Sequence, residues 1–407
     1  MQRKTALISG AGVAGPALAY WLTAAGWKTT IVERAPAVRD GGYVIDFWGL
    51  GYDLAERMGL LDEIQRVSCT ARELRVVGDH GQRLASFGVG VFNELTNGRY
   101  ATLMRSDLSK LLLKAATPAT EVIFGDEIEA LSDEGDAGVN VRLRNGGARR
   151  FDLVIGADGL HSRVRQLAFG PQDRFEKPLG YAVAAFQAAG YRPRDPGVYM
   201  IYGKPGRMLG RFALPEDRTL FLLMFSFDGA LLTTLAEQKA LVRSLYRDGD
   251  WETADVLDRL EQTEDLYLDR ASQIVAPTWS KGRVALIGDA AFSVSLLAGQ
   301  GSALAVVAAY VLAGELARCD GRIDEALAAY ERRLRAYIEM KQAGAKRFAG
   351  ALAPRTRLGT WFRNLVVQML AIPGLARVAV GREIIDRLQL PDYPLRSGAS
   401  DSGVSRG

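Results

Sequence analysis

The six residues Gly10-Ala11-Gly12-Val13-Ala14-Gly15 constrain this chain more than any other stretch. They follow a short apolar segment, residues 4–9, that reads as a buried strand. They precede residues 16–26, where Leu18, Leu22 and Ala25 recur on one side at helical period. Pro16 suits a first helical turn, where its missing N–H has no partner to lose. A second strand, residues 29–32, ends at Glu33. Strand, glycine turn, helix and strand make a βαβ unit whose turn can hold a phosphate. Gly10 permits the tight turn, Gly12 lets backbone approach a pyrophosphate, and Gly15 allows close helix–strand packing. The helix N-terminus attracts the anion, which assigns Val13 and Ala14 to the same contact. Glu33 lies 23 residues beyond Gly10, where a carboxylate accepts hydrogen bonds from an adenosine ribose, with Arg34 beside it. This arrangement predicts a bound dinucleotide and does not separate FAD from NAD.

Two later segments narrow the choice. Residues 153–158 form an apolar strand ending in Asp158-Gly159, followed by Leu160-His161-Ser162-Arg163-Val164-Arg165. Residues 283–287 form another, running into Gly288-Asp289-Ala290-Ala291 and then Gly299-Gln300-Gly301 and a long small-residue helix to Ala317. An acid at a strand end beside a helix start can bind a ribityl hydroxyl, and the amides of a Gly-Gln-Gly turn can meet pyrophosphate or flavin oxygens. In this order the three segments resemble those of the flavin hydroxylases of the p-hydroxybenzoate hydroxylase type, over roughly residues 4–345.

That resemblance implies an α/β fold: a Rossmann-like, glutathione reductase-type FAD-binding domain with an inserted antiparallel β-sheet substrate domain and a C-terminal helical segment. It implies non-covalent FAD, with Glu33 on the adenosine ribose, Asp289 on the ribityl chain and Asp158 near the pyrophosphate. Gly299, Gln300 and Gly301 would meet the cofactor, and Arg105 would contact it at a helix start. Finer detail is similar to tetracycline-inactivating monooxygenases and polyketide hydroxylases. Arg39, Gly41-Gly42 and Asp46 resemble that branch's segment over the flavin, although the spacing differs by one residue. Gln187 and Arg207 resemble its substrate-contacting residues.

The remaining sequence is expected to divide accordingly. Residues 1–75, 101–175 and 275–345 would form the FAD-binding domain. Residues 76–100 and 176–274 would form the substrate domain, 346–395 a C-terminal helical segment, and 396–407 a disordered tail. Residues 70–86 read as a hairpin turning at Gly78-Asp79-His80-Gly81, which makes His80 a turn residue. Strand-like runs at 181–186, 198–202, 208–213 and 220–227 are separated by Lys204-Pro205-Gly206 and Pro215-Glu216-Asp217, with helical stretches near 235–248 and 251–261. Tyr181, Phe186, Tyr202, Phe212, Met224 and Phe225 are candidate cavity walls, although alternation sends half of any such list into the core. From Pro354 onward, Trp361, Phe362, Leu365, Val366, Met369 and Leu370 make an apolar helical stripe expected to pack on the body.

Several classes are disfavoured. The net charge of +4 comes from basic residues spread along the chain, so nucleic acid is not expected as a partner. Two cysteines and two histidines, without ligand spacing, give no basis for a metal or disulfide redox centre. The apolar runs at 5–22 and 303–317 read as buried core, the second being interrupted by Glu315, so no stable membrane insertion is expected. No tryptophans show the Trp-x-Trp spacing of flavin halogenases. The expectation is a cytoplasmic monomer or weak homo-oligomer acting on a small molecule, in natural-product or antibiotic biosynthesis.

If the resemblance holds in full, NADPH or NADH reduces FAD, and a flavin C4a-hydroperoxide hydroxylates an aromatic, polyketide or other natural-product substrate. The cofactor carries that chemistry while the protein orients and excludes water. One departure matters. Relatives place His or Tyr after Gly-Asp-Ala-Ala and prolines before Gly-Gln-Gly, whereas residues 292–298 here read Phe-Ser-Val-Ser-Leu-Leu-Ala. Proline would fix φ beside the reactive edge. Its absence leaves an alternative, an FAD-bound cyclase or isomerase without net redox change.

Overall fold

The computed structural model describes residues 3–38, 41–230, 232–295, 299–320, 322–370 and 388–395. Arg39, the segment 296–298 and the tail from 396 lie outside the described residues. Elements are numbered in chain order. One sheet combines β1 (Thr5–Ser9), β2 (Lys28–Glu33), β7 (Thr120–Phe124), β11 (Leu153–Gly156), β17 (Ser280–Lys281) and β18 (Val284–Leu286), in the order β17-β18-β11-β1-β2-β7. All its pairs are parallel except β17 with β18. Its central strands are buried apolar runs, as in Ala6-Leu7-Ile8 and Leu153-Val154-Ile155, the composition of strands covered on both faces. Helix α1 (Ala14–Ala24) packs on β1 and β2.

The topology positions the site. The chain leaves β1 through α1 to reach β2 on one side, while β11 lies on the other. Such a switch point opens a crevice at the carboxyl ends of the strands. Parallel pairing puts the carboxyl ends of β1, β11 and β18 side by side, and each of the three glycine-and-acid segments follows one of them.

The chain between β2 and β11 adds smaller pieces: β3 (Val44–Trp48), α2 (Leu50–Arg57), α3 (Leu61–Val67), α4 (Gly90–Leu95), β6 (Tyr100–Met104) and α5 (Arg105–Ala116), with β3 and β6 antiparallel. β8 (Ile128–Asp133), β9 (Val139–Leu143) and β10 (Gly147–Phe151) form a three-stranded sheet. The β3–β6 pair carries no sequence signal because its strands lie far apart along the chain, whereas β8, β9 and β10 follow one another through short turns, the second at Arg144-Asn145-Gly146.

A seven-stranded sheet holds β4 (Glu73–Val77), β5 (Arg83–Gly88), β12 (Glu176–Ala189), β13 (Val198–Lys204), β14 (Arg207–Ala213), β15 (Arg218–Ser226) and β16 (Tyr267–Ile274), in the order β16-β12-β15-β14-β13-β4-β5. The hairpin expected at 70–86 joins it through β4, parallel to β13. One face packs on α7 (Leu235–Tyr246) and α8 (Thr253–Gln262) through Phe186, Tyr202, Phe221 and Phe225. The opposite face turns toward β3 and β6, where Ala185, Phe212 and Leu220 meet Met104, Tyr43 and Val44. Thr234 and Glu237 build a reciprocal capping box at the start of α7.

After α6 (Arg163–Ala168) and the short α9 (Asp289–Phe292), three helices close the chain: α10 (Gly301–Arg318), α11 (Ile323–Leu352) and α12 (Arg357–Leu370). Helix α10 is apolar enough to cross a membrane, yet 72% of it is buried within the body against α1, α2 and α11. Its Glu315 is fully buried and accepts from Arg318 (2.6 Å), Arg333 (2.9 Å) and the Tyr393 hydroxyl (2.7 Å). Burial pushes this carboxyl up, but Tyr393, Arg333 and Arg318 outweigh it and hold the carboxyl below its ordinary range. Stabilisation from such a depressed group is complete above the unfolded-state value of about 4.3 and is lost as pH falls through the folded value. Glu315→Gln is expected to cost about 1.5–3 kcal/mol at neutral pH. In urea titrations the difference from wild type should shrink under acid.

The stripe on α12 behaves otherwise than expected. Trp361, Phe362, Leu365, Val366 and Met369 are exposed instead of packed. The helix meets β5 and β13 through a different side, as when Gln368 donates to the Leu84 carbonyl at 2.6 Å.

Candidate active site

The fingerprint turn is built by close backbone approach. Gly10 has φ +107°, and a Cβ there would lie 2.6 Å from the Ala157 carbonyl oxygen, just after β11. A Cβ on Gly15 would lie within 1.9 Å of the Gly10 oxygen. Glu33 closes the turn, its two carboxylate oxygens accepting from the amides of Ala11 and Ala35 at 2.8 Å each. A carboxylate has further lone pairs for a ribose hydroxyl. Arg34, next along, is exposed.

The same ruler shows that the distant segments meet. A Cβ on Gly288 would touch Ala14 of α1 at 3.1 Å and Ala305 of α10 at 3.6 Å. One on Gly301 would lie 3.6 Å from Asp289 Oδ1, and one on Gly12 would lie 3.5 Å from Arg105 Nη2. Thus Gly12, Arg105, Asp289, Gly301 and the α1 and α10 N-termini share one region. Neither Val13 nor Gln300 caps its helix with a side chain. Two uncapped helix starts and glycine-lined backbone are an anion cradle.

Arg105, Asp289, Tyr43, Tyr267 and Asp269 form one electrostatic group. Burial raises the Asp289 carboxyl, Arg105 draws it back, and the net direction is upward. Burial opposes the charge on Arg105, but Tyr43, Asp289 and Tyr267 together outweigh it and the net direction is upward. Tyr43 also holds Arg105 by its carbonyl, 3.1 Å from the Arg105 amide, and stacks at a tilt 5.5 Å from Tyr267. Nothing in the sequence singles out Tyr267 or Asp269, which sit in segments with no motif, and Tyr43 lies between Gly42 and Asp46 of a segment that marks its neighbours instead.

Asp158, expected near the pyrophosphate, has its carboxylate engaged locally. It accepts from Ser162 Oγ (2.5 Å) and the amides of Arg163 (2.8 Å) and Val164 (3.1 Å), capping the start of α6. Its Cα borders Gly10, so it shapes the cradle through backbone. Arg165, fully buried, bonds the Ala290 carbonyl at 2.8 Å and the Leu160 carbonyl at 2.7 Å, tying the Asp-Gly turn to α9. His161 Nε2 lies 2.9 Å from Asp269, joining this turn to β16.

Asp46 lies on β3, which pairs with β6. Its carboxylate faces Tyr100 (2.5 Å) and Thr102 (2.8 Å) across the β3–β6 pair, with Tyr199 nearby. Burial raises its pKa despite these hydroxyls.

The candidate substrate residues separate by strand alternation. Tyr181, Gln187, Phe212 and Met224 share the face toward β3 and β6, since Tyr181, Val183, Ala185 and Gln187 pair with Ser226, Met224, Leu222 and Leu220. Phe212 stacks on Tyr199 at 4.2 Å, and Gln187 Oε1 accepts from Arg218 at 3.1 Å. Tyr202, Phe186 and Phe225 point to the helices instead. Arg207 does too: it pairs with Asp248 at 2.7 Å and with the Leu245 carbonyl at the end of α7. Both Arg207 and Tyr202 therefore lie on the wrong side of the sheet to line a cavity above the cradle.

The start of the proline-free loop, at Ser293 and Val294, is pinned by side chains. Gln342 on α11 donates to the carbonyls of Ser293 (3.1 Å) and Ile274 (2.8 Å), while Gln273 on β16 donates to those of Val294 (3.1 Å) and Gln342 (2.7 Å). Both amides are buried, and such interlocked buried bonds hold backbone firmly. Lone glutamines in a helix and a strand carry no sequence signature, so this clamp shows only in the folded chain.

The family described as FAD binding domain matches residues 3–342. The chain belongs to the FAD-binding monooxygenase superfamily. The flavoprotein is 38% identical over 347 residues to the uncharacterized protein Rv1260 of Mycobacterium tuberculosis, covering 83% of this chain and 92% of that protein. It is 33% identical over 344 residues to a flavin-dependent monooxygenase of an unknown prokaryotic organism, covering 84% and 88%. Among solved structures it resembles the tetracycline destructase Tet(51), with TM-score 0.81 and 28% identity over 96% of this chain and all of that one. The α/β fold, with its Rossmann-like FAD domain, inserted sheet and C-terminal helices, is that of Tet(51). The cradle fits a dinucleotide: two helix N-termini and glycine-lined backbone suit a pyrophosphate, and the Glu33 carboxylate keeps lone pairs for a hydroxyl.

Proposed function

We propose that this FAD-binding enzyme is a monooxygenase that hydroxylates a flat aromatic, polyketide or related natural-product molecule, with NADPH or NADH as reductant. The observation that carries the reading is the sheet face above the cradle. Tyr199, Phe212, Leu222 and Tyr267 turn an apolar, aromatic sheet face toward Met104, Tyr43 and the neighbouring Arg105–Asp289 group. Such a surface excludes water and stacks an unsaturated substrate, with Gln187 and Asp46 as its sparse polar points. When bound, FAD supplies hydride acceptance and oxygen activation. The chain's own part is to hold it: the helix N-termini on the pyrophosphate, Asp289 on the ribityl chain, Arg105 across the Gly12 turn. The 33% identity to a flavin-dependent monooxygenase and the likeness to Tet(51) support this branch.

The missing prolines of the 292–298 loop favour the second reading, a cyclase without net redox change. The Gln273–Gln342 clamp weighs against that reading at the described start of the loop, because it holds the Ser293 and Val294 carbonyls by another means. The test is a panel of phenolic and polyketide compounds offered to FAD-loaded protein. A substrate is expected to accelerate NAD(P)H oxidation at least about tenfold, with equimolar oxygen uptake. Conversion of a compound with neither NAD(P)H loss nor oxygen uptake would establish the cyclase instead.

A further inference from the structure

We propose that α12 is an interfacial helix that seats this enzyme on an anionic lipid surface. Leu358, Trp361, Phe362, Leu365, Val366 and Met369 recur at the spacing of one helical face, and all six are exposed. Leu358 is 75% exposed, Trp361 61% and Phe362 60%, so the two aromatic rings project into solvent. Contiguous exposed apolar residues on one amphipathic helix mark a contact surface. Leu84, also exposed, extends the patch at the neighbouring strand β5.

Charge decides the partner. The chain carries 47 Asp and Glu, yet none falls between residues 340 and 382, a stretch with eight Lys and Arg. Lys346 and Arg357 of that stretch are exposed. A Trp- and Phe-bearing apolar face within acid-free basic sequence matches an interface of acyl chains and anionic headgroups. A second copy of the chain would bring the same positive charge against itself. The helix is also held in place: the Tyr181 hydroxyl donates to the Ala353 carbonyl at 3.1 Å, and the Gly206 amide to the Pro354 carbonyl at 2.8 Å. The apolar face is therefore presented by a fixed base.

The test uses the FAD-loaded full chain and vesicles of phosphatidylcholine with or without phosphatidylglycerol. Co-sedimentation is expected to be at least about tenfold stronger with phosphatidylglycerol and to fall steeply as salt approaches ~1 M. Trp361→Ser/Phe362→Ser should keep its flavin and thermal midpoint while losing binding about tenfold or more. Lys346→Glu/Arg357→Glu should lose the preference for anionic vesicles. Brominated lipid should quench a component of the fluorescence that is missing in Trp361→Phe. Failure of the wild type to bind phosphatidylglycerol vesicles, or unchanged binding by the double Ser variant, would overturn the proposal. So would a concentration-dependent dimer abolished by Trp361→Ser, which assigns the face to a second copy. Shielding of Trp361 from aqueous quencher without lipid would assign the face to residues 371–387 and overturn the proposal equally.

Discussion

Asp289→Ala is expected to purify largely without flavin. Asp289 stands at the start of α9, 3.6 Å from where Gly301 would carry a Cβ, and shares its region with Arg105. Removing the carboxylate deletes the acceptor offered to the ribityl chain and leaves Arg105 with less opposing charge. Losing one partner of a buried, charged hydrogen bond costs about 2–4 kcal/mol, or roughly 30- to 1,000-fold in FAD affinity. Titration of apoprotein with FAD by calorimetry reads this directly, independent of turnover. Asp289→Asn should retain part of the affinity, since an amide oxygen still accepts. Full flavin stoichiometry and unchanged affinity in the Ala variant would remove Asp289 from the cofactor site.

Gly10→Ala should be a severely damaging single methyl group for this chain. Two penalties coincide there, a φ of +107° and a Cβ placed 2.6 Å from the Ala157 carbonyl oxygen. Gly26→Ala separates them, because its φ is +86° with nothing within 4 Å. Backbone strain alone at Gly26 should cost about 1–2 kcal/mol. At Gly10 the overlap adds to the strain, for a total of about 3–6 kcal/mol, a large part of a domain's net stability. The expected outcome is little soluble protein, a lowered thermal midpoint and no bound FAD. Equal midpoints for the two variants would mean that the β1–β11 approach does not limit the turn.

Much of the site is legible in the sequence because its parts are local. The Gly10–Gly15 turn, Glu33, the start of α5 at Arg105 and the Gly288-Asp289 step each declare their backbone need within a few residues. Strand periodicity likewise locates β13, β14 and β15 of the seven-stranded sheet nearly to their ends, whereas β12 runs from Glu176 to Ala189, well beyond the expected 181–186. What it misses is the facing of side chains on that sheet. Arg207 and Tyr202 lie one residue from Met208 and Ile201, which face the other way, and a period of two makes one residue decisive. Asp46 escapes for another reason: its partners Tyr100 and Tyr199 come from strands far along the chain.

Residue type and spacing alone determined that this polypeptide would build a βαβ turn for a dinucleotide and repeat the theme at two later strand ends. Only the tertiary structure decided what surrounds that nucleotide. Parallel pairing of β1, β11 and β18 turned three separate segments into one cradle, and the second sheet chose which of its two faces would cover it. Gln273 and Gln342, buried across from the proline-free loop, show the physical reason. A backbone torsion is written in its own residue, whereas a hydrogen bond across the fold exists only once distant residues are neighbours.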